Sequence, residues 1–243
     1  MGLLDLIKPK SALEKAAKQV REPYAQPEYR RAAMEKLLEL GTEEAYAALL
    51  MRFTYNANGQ IADESEKRDL VDELVKIGKP VLPSLQKFIR TEKAVALPIE
   101  ALRRMLSAAE AKAFLLETLK AYEPLDHRST QQKISLVFAL AELGGAEVAE
   151  ALLPYLDDHH DDVQFQTIGA LERLKHEPTS AALAKVCLGD SHAGRVQRAA
   201  AQALANLAWP AKEHFDAWNA ELKGEYLIGK KGQVVKKGAA AEG

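Results

Sequence analysis

One apolar stripe recurs six times along the chain and constrains its fold more than any other feature. Each copy ends on an apolar residue, with a leucine three positions earlier. The six final residues are Leu40, Ile77, Met105, Leu143, Leu174 and Leu207. The six leucines are Leu37, Leu74, Leu102, Leu140, Leu171 and Leu204. Another apolar residue stands three positions before each leucine, and such spacing predicts six amphipathic α-helices.

A short break and a second apolar segment follow each stripe, so the repeating unit is a helix, a tight turn and a helix. Gly41, Gly78 and Gly144 stand just past three of the stripes. Glycine favours the left-handed conformation that often ends a helix. Helix pairs of this kind bury their stripes only by stacking on their neighbours. We therefore predict an all-α fold, a right-handed α-solenoid of about six helix pairs.

The sharpest copies of the stripe lie in "DDVQFQTIGALERL" from Asp161 and "GRVQRAAAQALANL" from Gly194. They resemble the first helix of HEAT-like repeats, in which a turn leads into valine, a polar residue and an A-x-x-A-L-x-x-L stripe. The segment "RRAAMEKLLELGTEEAYAALL" from Arg30 has the same form. The chain is also similar to a group of bacterial HEAT-repeat domain proteins. These resemblances imply the repeat architecture and no particular activity.

The resemblance covers roughly residues 28–222, which we expect to form the solenoid. Residues 1–27 are expected to supply an N-terminal capping helix, because Ser11 and Glu14 have the spacing of a capping box. Residues 223–243 are expected to be either a basic C-terminal tail or a small hairpin, since two short apolar runs flank a Gly-Lys-Lys-Gly turn.

Two local features interrupt or refine this pattern. Residues 54–67 contain an Asn58–Gly59 turn and are expected to be an irregular stretch between the first two units. Ser107 with Glu110 predicts a second capping box, at the start of the helix that follows the third stripe.

The charge balance argues against a dedicated nucleic-acid binder. The chain has 33 Lys and Arg against 35 Asp and Glu, whereas such binders usually carry a basic excess. The imbalance falls within residues 123–225, where carboxylates outnumber cations. An acidic surface opposes phosphate binding, so we expect no specific nucleic-acid partner.

The stretch "DDHHDD", residues 157–162, contains the residue types that bind metals. It falls between two predicted helices, where Asp161 or Asp162 would be an N-cap and Asp161 with Gln164 would form a capping box. Adjacent histidines also point in different directions, whereas a helical metal site needs ligands three or four positions apart. We therefore interpret the stretch as a helix-capping loop and predict no metal and no cofactor.

Several HEAT-like enzymes provide alternative hypotheses. The resemblance extends to alkylation-repair DNA glycosylases and to bilin lyases, but only Trp209 and Trp218 supply tryptophan here and nothing marks a chromophore pocket. Two-iron HEAT-repeat enzymes use several His-Glu dipeptides, whereas this chain has one, His176–Glu177. No catalytic residue is predicted, and these enzymes remain the alternative to a non-catalytic protein.

The single cysteine, Cys187, excludes a disulfide within the chain and is expected to be a buried core thiol. The first residues hold too short an apolar run for a signal peptide or a transmembrane helix. We therefore expect a cytoplasmic protein.

The function that this sequence favours is a non-catalytic scaffold that binds another protein on the solenoid surface. Basic residues late in the second helices, and in the C-terminal tail, are candidate partner contacts. They are Arg52, Lys87, Arg90, Lys120, Lys230 and Lys231. The first four could equally be favourable charges at helix C-termini. Leu3 to Ile7 and the basic tail could also make weak contact with a membrane surface, or Leu3 to Ile7 could pack on the first helices.

Overall fold

The structure is a computed structural model that describes residues 11–188, 191–209, 225–229 and 231–237. The chain divides into two compact units, residues 1–111 and 112–243. The first helices of the repeats are α2 (Pro27–Leu40), α4 (Gln60–Ile77), α6 (Ala96–Met105), α8 (Thr130–Leu143), α10 (Asp161–Leu174) and α12 (Gly194–Leu207). The second helices are α3 (Glu43–Leu50), α5 (Leu82–Thr91), α7 (Ala108–Lys120), α9 (Ala146–Leu152) and α11 (Ser180–Leu188).

In the first unit, the chain enters the repeats through α1 (Ala12–Val20). This helix begins at the predicted capping box: Glu14 N donates to Ser11 Oγ, and Ser11 N donates to Glu14 Oε2. It packs on α2 and α3, α3 packs on α5, and α4 lies along α6. A 3-10 turn at Met51–Thr54 leads from α3 towards α4.

In the second unit, α8 lies along α10 and α10 along α12, while α9 and α11 form the second layer. Strands β1 (Tyr226–Ile228) and β2 (Val234–Lys236) form an antiparallel hairpin, in which Leu227 pairs with Val235. The hairpin packs on α12, where the hydroxyl of Tyr226 donates to Gln202 Oε1 at 2.7 Å. The hairpin thus covers the last described first helix. The predicted second helix of the sixth unit lies outside the described residues.

The predicted leucine stripe forms the core of both units. All six leucines have no exposed surface: Leu37, Leu74, Leu102, Leu140, Leu171 and Leu204. The apolar residues three positions earlier are also buried: Met34, Val71, Ile99, Val137, Ile168 and Ala201. Neighbouring helix pairs stack within each unit. The predicted all-α solenoid fold with a short C-terminal hairpin is confirmed.

The helix ends follow the predicted glycines and capping box. Gly41, Gly78 and Gly144 have φ of 60°, 69° and 70°, a region that costs an L-residue energy and glycine very little. Ser107 and Glu110 form the predicted capping box at the start of α7, with Glu110 N donating to Ser107 Oγ at 3.3 Å.

The expected irregular stretch at residues 54–67 is wrong beyond its first few residues, because α4 already begins at Gln60. The turn at Gly59 is present, with φ of 83°. The first two turns of α4 bury the charged residues Asp63 and Glu66 in place of apolar ones. A helix that buries charge has no apolar periodicity there, and its polar sequence therefore looked like a loop.

Candidate functional site

A groove of about 510 Å³ lies between α2 and α4 in the first unit. Its lining comes equally from the two helices: Arg31, Met34, Glu35 and Leu38 from α2, and Glu66, Asp69, Leu70 and Glu73 from α4. On each helix these positions follow the spacing i, i+3, i+4 and i+7, which is one face over two turns. We call this feature the α2–α4 groove.

The floor of the α2–α4 groove is apolar and its rim is acidic. Met34 and Leu70 are buried at its base, and Leu38 is half-buried beside them. Glu35 on α2 and Asp69 on α4 are exposed on the two walls. An apolar base with charged walls is typical of sites that bind one bulky apolar group and orient it by polar contacts.

The lining of the groove has more carboxylates than cations. Glu66 forms ion pairs with buried arginines, and Glu73 pairs with Lys76 at 2.6 Å. Glu35 and Asp69 have no ion pair or hydrogen bond among the described residues. Arg31 is the only cation in the lining. Helix α4 as a whole has six carboxylates and three cations, so this wall of the groove has a negative potential.

A buried ionic cluster closes one end of the groove and connects its walls. Arg30 Nε on α2 lies 3.1 Å from Glu66 Oε1 on α4. The guanidinium of Arg52 donates to both Glu66 and Asp63, and Lys67 Nζ lies 2.8 Å from Asp63 Oδ2. Since each carboxylate has at least two cationic partners, the cluster fixes the start of α2 relative to α4.

The electrostatics of Asp63 follow from this arrangement. Burial alone would raise the pKa of Asp63. Hydrogen bonds from Lys67, from the amide of Ala57 and from Arg52 outweigh burial and lower its pKa to about 2. Asp63 is therefore ionised throughout the neutral and mildly acidic range.

Arg52 lies within the ionic cluster and has no exposed surface. Its guanidinium stacks over the ring of Tyr55 at 4.8 Å and donates to the Tyr55 carbonyl. The sequence-based assignment of Arg52 to a partner-binding surface row is therefore wrong for this residue. A sequence pattern alone does not distinguish it from a surface arginine, because its carboxylate partners are on the next helix.

The other candidate partner contacts are in different places. Lys87 and Arg90 are exposed on α5 in the first unit. Lys120 is exposed at the last residue of α7, in the second unit. Lys231 is exposed in the hairpin turn, and Lys230 lies outside the described residues. Lys87 and Arg90 are three positions apart in α5, about one helical turn, and both are exposed on the same face.

The loop at residues 157–162 is organised around a buried ion pair. Lys133 Nζ lies 2.5 Å from Asp158 Oδ2, and it also donates to the carbonyls of Glu123, Pro124 and Asp126. Asp158 Oδ1 accepts the His160 amide at 2.9 Å. The aspartate therefore connects α8 to the loop that precedes α10.

The predicted capping residues of α10 are displaced by one position. The N-cap is His160, whose Nδ1 accepts the Asp162 amide at 3.1 Å, so the assignment to Asp161 or Asp162 is wrong. Gln164 does not close a capping box with Asp161: its Nε2 donates to the Asp158 carbonyl at 2.6 Å. Asp161 and Asp162 instead lie in the first turn, where their negative charge interacts favourably with the helix dipole. Within the described residues, no three His, Cys, Asp or Glu side chains are grouped as metal ligands.

The remaining sequence candidates fall in separate places. Cys187 is buried in α11 as predicted, and burial raises the pKa of its thiol. His176 and His192 approach different carboxylates, those of Glu150 and Asp157. Trp209 is half-buried after α12, whereas Trp218 lies outside the described residues.

Sequence reasoning missed the polar row that holds the loops between repeats. Arg30, Lys133 and Gln164 each stand seven residues before an inner leucine, and all three are buried. Each donates to a backbone carbonyl of the segment that precedes its helix. Seven residues are about two helical turns. A long polar side chain at that spacing from a core leucine is the signal that could have identified them.

No described helix is both long enough and apolar enough to cross a membrane. No curated protein and no solved structure matches the chain. Residues 119–205 match the family model for HEAT repeats. The match starts at the end of α7 and ends within α12, and it therefore covers the best-patterned helix pairs of the second unit. With the stacked helix pairs and their buried leucine stripes, the match supports HEAT-like repeats as the architecture of the chain.

Proposed function

We propose that this protein is a non-catalytic scaffold that binds another protein on the surface of its helical repeats. The observation that carries the proposal is the burial of the leucine stripe in every first helix. Because the stripes are buried where the helix pairs pack, the outward faces of the helices are the surface on which a partner would bind. Repeat proteins of this kind present extended surfaces for recognition.

The ionic groups support a structural interpretation of the buried charges. Lys133 with Asp158, and Arg52 with Asp63 and Glu66, are closed pairs that use their polar atoms on one another or on backbone carbonyls. A catalytic acid or base needs a free position towards a substrate. The Cys187 thiol is buried with a raised pKa, the opposite of an activated nucleophile.

Lys87 and Arg90 are the partner contacts we propose on the second helices, and Lys120 and Lys231 are further candidates. All four side chains are exposed. Exposed charges steer association and set specificity more than they add affinity. We further propose a cytoplasmic location, based on the single cysteine, which leaves no disulfide within the chain.

The test is affinity capture of crosslinked complexes from the source cell, followed by mass spectrometry. The baits are the wild-type protein, the double variant Lys87→Glu/Arg90→Glu, and the control Lys15→Glu on α1, which also reverses an exposed charge. We expect one partner in near-stoichiometric amounts with the wild type and the control. Capture of the same background proteins by an unrelated bait, with no enriched partner, would contradict the scaffold.

A further inference from the structure

We propose that the α2–α4 groove binds a basic segment of a partner protein that inserts a bulky apolar side chain between the two helices. The inference rests on the proposed scaffold function and names the chemistry of the segment recognised. The occupant follows from the two halves of the groove lining, its apolar base and its acidic walls.

The size of the groove limits the size of the apolar side chain that can insert into it, which we call the anchor. Lining residues span two turns on each helix, from Arg31 to Leu38 and from Glu66 to Glu73, so the groove is about 10 Å long. A volume of about 510 Å³ holds one or two large side chains and no folded domain. The occupant is therefore a short segment that adds its other residues outside the groove.

The floor selects an apolar anchor. Met34, Leu38 and Leu70 present only thioether and hydrocarbon surface. Met34 is unbranched and polarisable, which lets it adapt to leucine, methionine or an aromatic ring. Met34 and Leu70 are already buried, so the apolar surface removed from water on binding is that of the inserted side chain and of the half-buried Leu38. Burial of that kind contributes to affinity in helix-in-groove recognition.

The walls select cationic flanks. Glu35 and Asp69 lie on opposite walls without an ion pair among the described residues, and both helices hold them close to the apolar floor. Lysine or arginine beside the anchor would pair with them. An anionic occupant such as a nucleic acid or an acidic peptide would instead meet repulsion from both walls.

The groove also has a direction. At the end near the start of both helices, Arg31 lies with Glu66, whose carboxylate is already paired with Arg30 and Arg52. Towards the other end, Asp69 has no ion pair among the described residues, whereas Glu73 is paired with Lys76. The cationic residues of the segment are therefore placed towards the Asp69 and Glu73 end, and a carbonyl or carboxylate lies at Arg31.

The ionic cluster makes the groove preorganised. Arg30 on α2 and Glu66 on α4 are 36 residues apart in sequence, and both are buried where they meet. Their contact connects the walls at one end before any partner binds. A site that is already formed loses less conformational entropy on binding than one that must be assembled.

The methionines of this chain allow a direct test by methyl NMR. The chain has four methionines, of which Met34 forms part of the groove floor, while Met51 and Met105 do not line the groove. The full-length protein is labelled with ¹³C at the methionine methyl groups, and each resonance is assigned by Met→Leu substitution. The probe is a synthetic amphipathic peptide with leucine at i, i+3, i+4 and i+7 and lysine elsewhere.

We expect the Met34 methyl resonance to shift saturably with the lysine peptide, while the Met51 and Met105 resonances stay in place. A matched peptide with glutamate in place of lysine should leave Met34 unchanged. The double variant Glu35→Lys/Asp69→Lys should weaken binding of the lysine peptide by about tenfold or more. The control Glu22→Lys/Glu64→Lys makes the same change in net charge at exposed residues outside the groove lining, and it should bind as the wild type does.

Four results would overturn the proposal. The Met34 resonance could stay unmoved at saturating peptide, or both charge-reversed variants could lose binding equally, which would mean non-specific attraction. The Met34 shift could appear on removal of residues 1–10 without peptide, which would make the chain's own N-terminal segment the occupant. It could also depend on protein concentration alone, which would make the occupant a second copy.

The same variants separate this proposal from the scaffold function. If Glu35→Lys/Asp69→Lys still captures the cellular partner, the groove is not the recognition site and the scaffold function stands. If no partner is captured by any bait, the scaffold function fails, whatever the peptide does in the NMR titration.

Discussion

The ammonium group of Lys133 lies 2.5 Å from the carboxylate of Asp158, and neither side chain has any exposed surface. Three backbone carbonyls take the other hydrogen bonds of the ammonium group. The pair joins α8 to the loop before α10. Two successive repeats are therefore connected by an ion pair in addition to the apolar packing of their leucine stripes.

Replacing Lys133 with methionine tests this pair. The change leaves the Asp158 charge buried without its partner, and we expect a loss of about 3–5 kcal/mol in the free energy of unfolding. The matched control is Lys112→Met, which removes a lysine from an ion pair with the exposed Glu147 and should cost about 1 kcal/mol or less. Urea denaturation followed by circular dichroism measures both. Equal losses for the two variants would mean that the buried pair is not a link between repeats.

Truncating the inner leucines tests the repeat register. Leu140→Ala and Leu171→Ala each leave a cavity in a fully buried position and should cost about 2–5 kcal/mol. Gln131→Ala, at an exposed position of α8, is the control and should stay within about 0.5 kcal/mol. Glu172 is a poorer control because it accepts a hydrogen bond from Asn206 at 2.7 Å. If both leucine variants unfold like the control, the predicted stripe does not face a core.

Asp63 makes the free energy of unfolding of the first unit depend on pH in the acidic range. The pKa of Asp63 is about 2 in the folded protein, whereas the ordinary value for an aspartate is 3.8. Because the folded pKa is lower, this contribution is fully present above about pH 5 and is lost as the pH falls towards 2. We expect about 2 kcal/mol to be lost over that range. Chemical denaturation at a series of pH values measures the slope.

The control for this pH dependence uses two matched variants. Asp63→Asn should flatten the slope between about pH 5 and pH 2, whatever its effect at neutral pH. Asp69→Asn changes an exposed carboxylate of the same helix and should leave the slope close to that of the wild type. A wild-type slope in Asp63→Asn would assign the acid sensitivity to other groups.

Two glycines should respond to alanine in opposite directions. Gly169 lies within α10, and a Cβ there would meet no atom within 4 Å. Gly169→Ala should therefore raise stability by about 0.5–1 kcal/mol, through better helix propensity. Gly145 has a φ of 113°, and a Cβ would lie 2.5 Å from Glu147 Oε2. Gly145→Ala should lower the thermal midpoint, and a rise there would contradict the backbone conformation of this turn.

The loop at residues 157–162 should bind no structural metal. Two of its metal-binding side chains are already used: Asp158 by Lys133 and the His160 amide, and His160 Nδ1 by the Asp162 amide. A metal would have to break these bonds. Elemental analysis of the dialysed protein should find no stoichiometric zinc or iron. Stoichiometric metal that disappears in His159→Ala would show that the capping interpretation is wrong.

The division of the chain at residues 27/28 and 222/223 stays a prediction. It marks where the repeats begin and end, whereas the boundary between the two compact units falls between residues 111 and 112. The proposed partner contacts Lys87, Arg90 and Lys120 also stay proposals, because exposure allows contact without identifying a partner.

The capping loop shows how far local sequence rules reach. The position of the loop between two helices was predictable, because aspartate is a typical N-cap residue and an apolar stripe begins at Val163. The choice of His160 as the N-cap was not, because it depends on Asp158 being turned inward to meet Lys133. A residue 25 positions away decides which side chain remains for the cap.

The sequence by itself determined the helix pairs, their order and the residues of their core. Each stripe is a local periodicity that can bury its leucines in only one way, so neighbours in sequence were enough to predict it. The tertiary structure decided the buried charges, the role of Arg52 and the α2–α4 groove. These depend on which side chains of separate helices meet, as Arg30 and Glu66 do across 36 residues. The strength of a buried charge pair comes from its distance and its removal from water, and both exist only once the helices have packed.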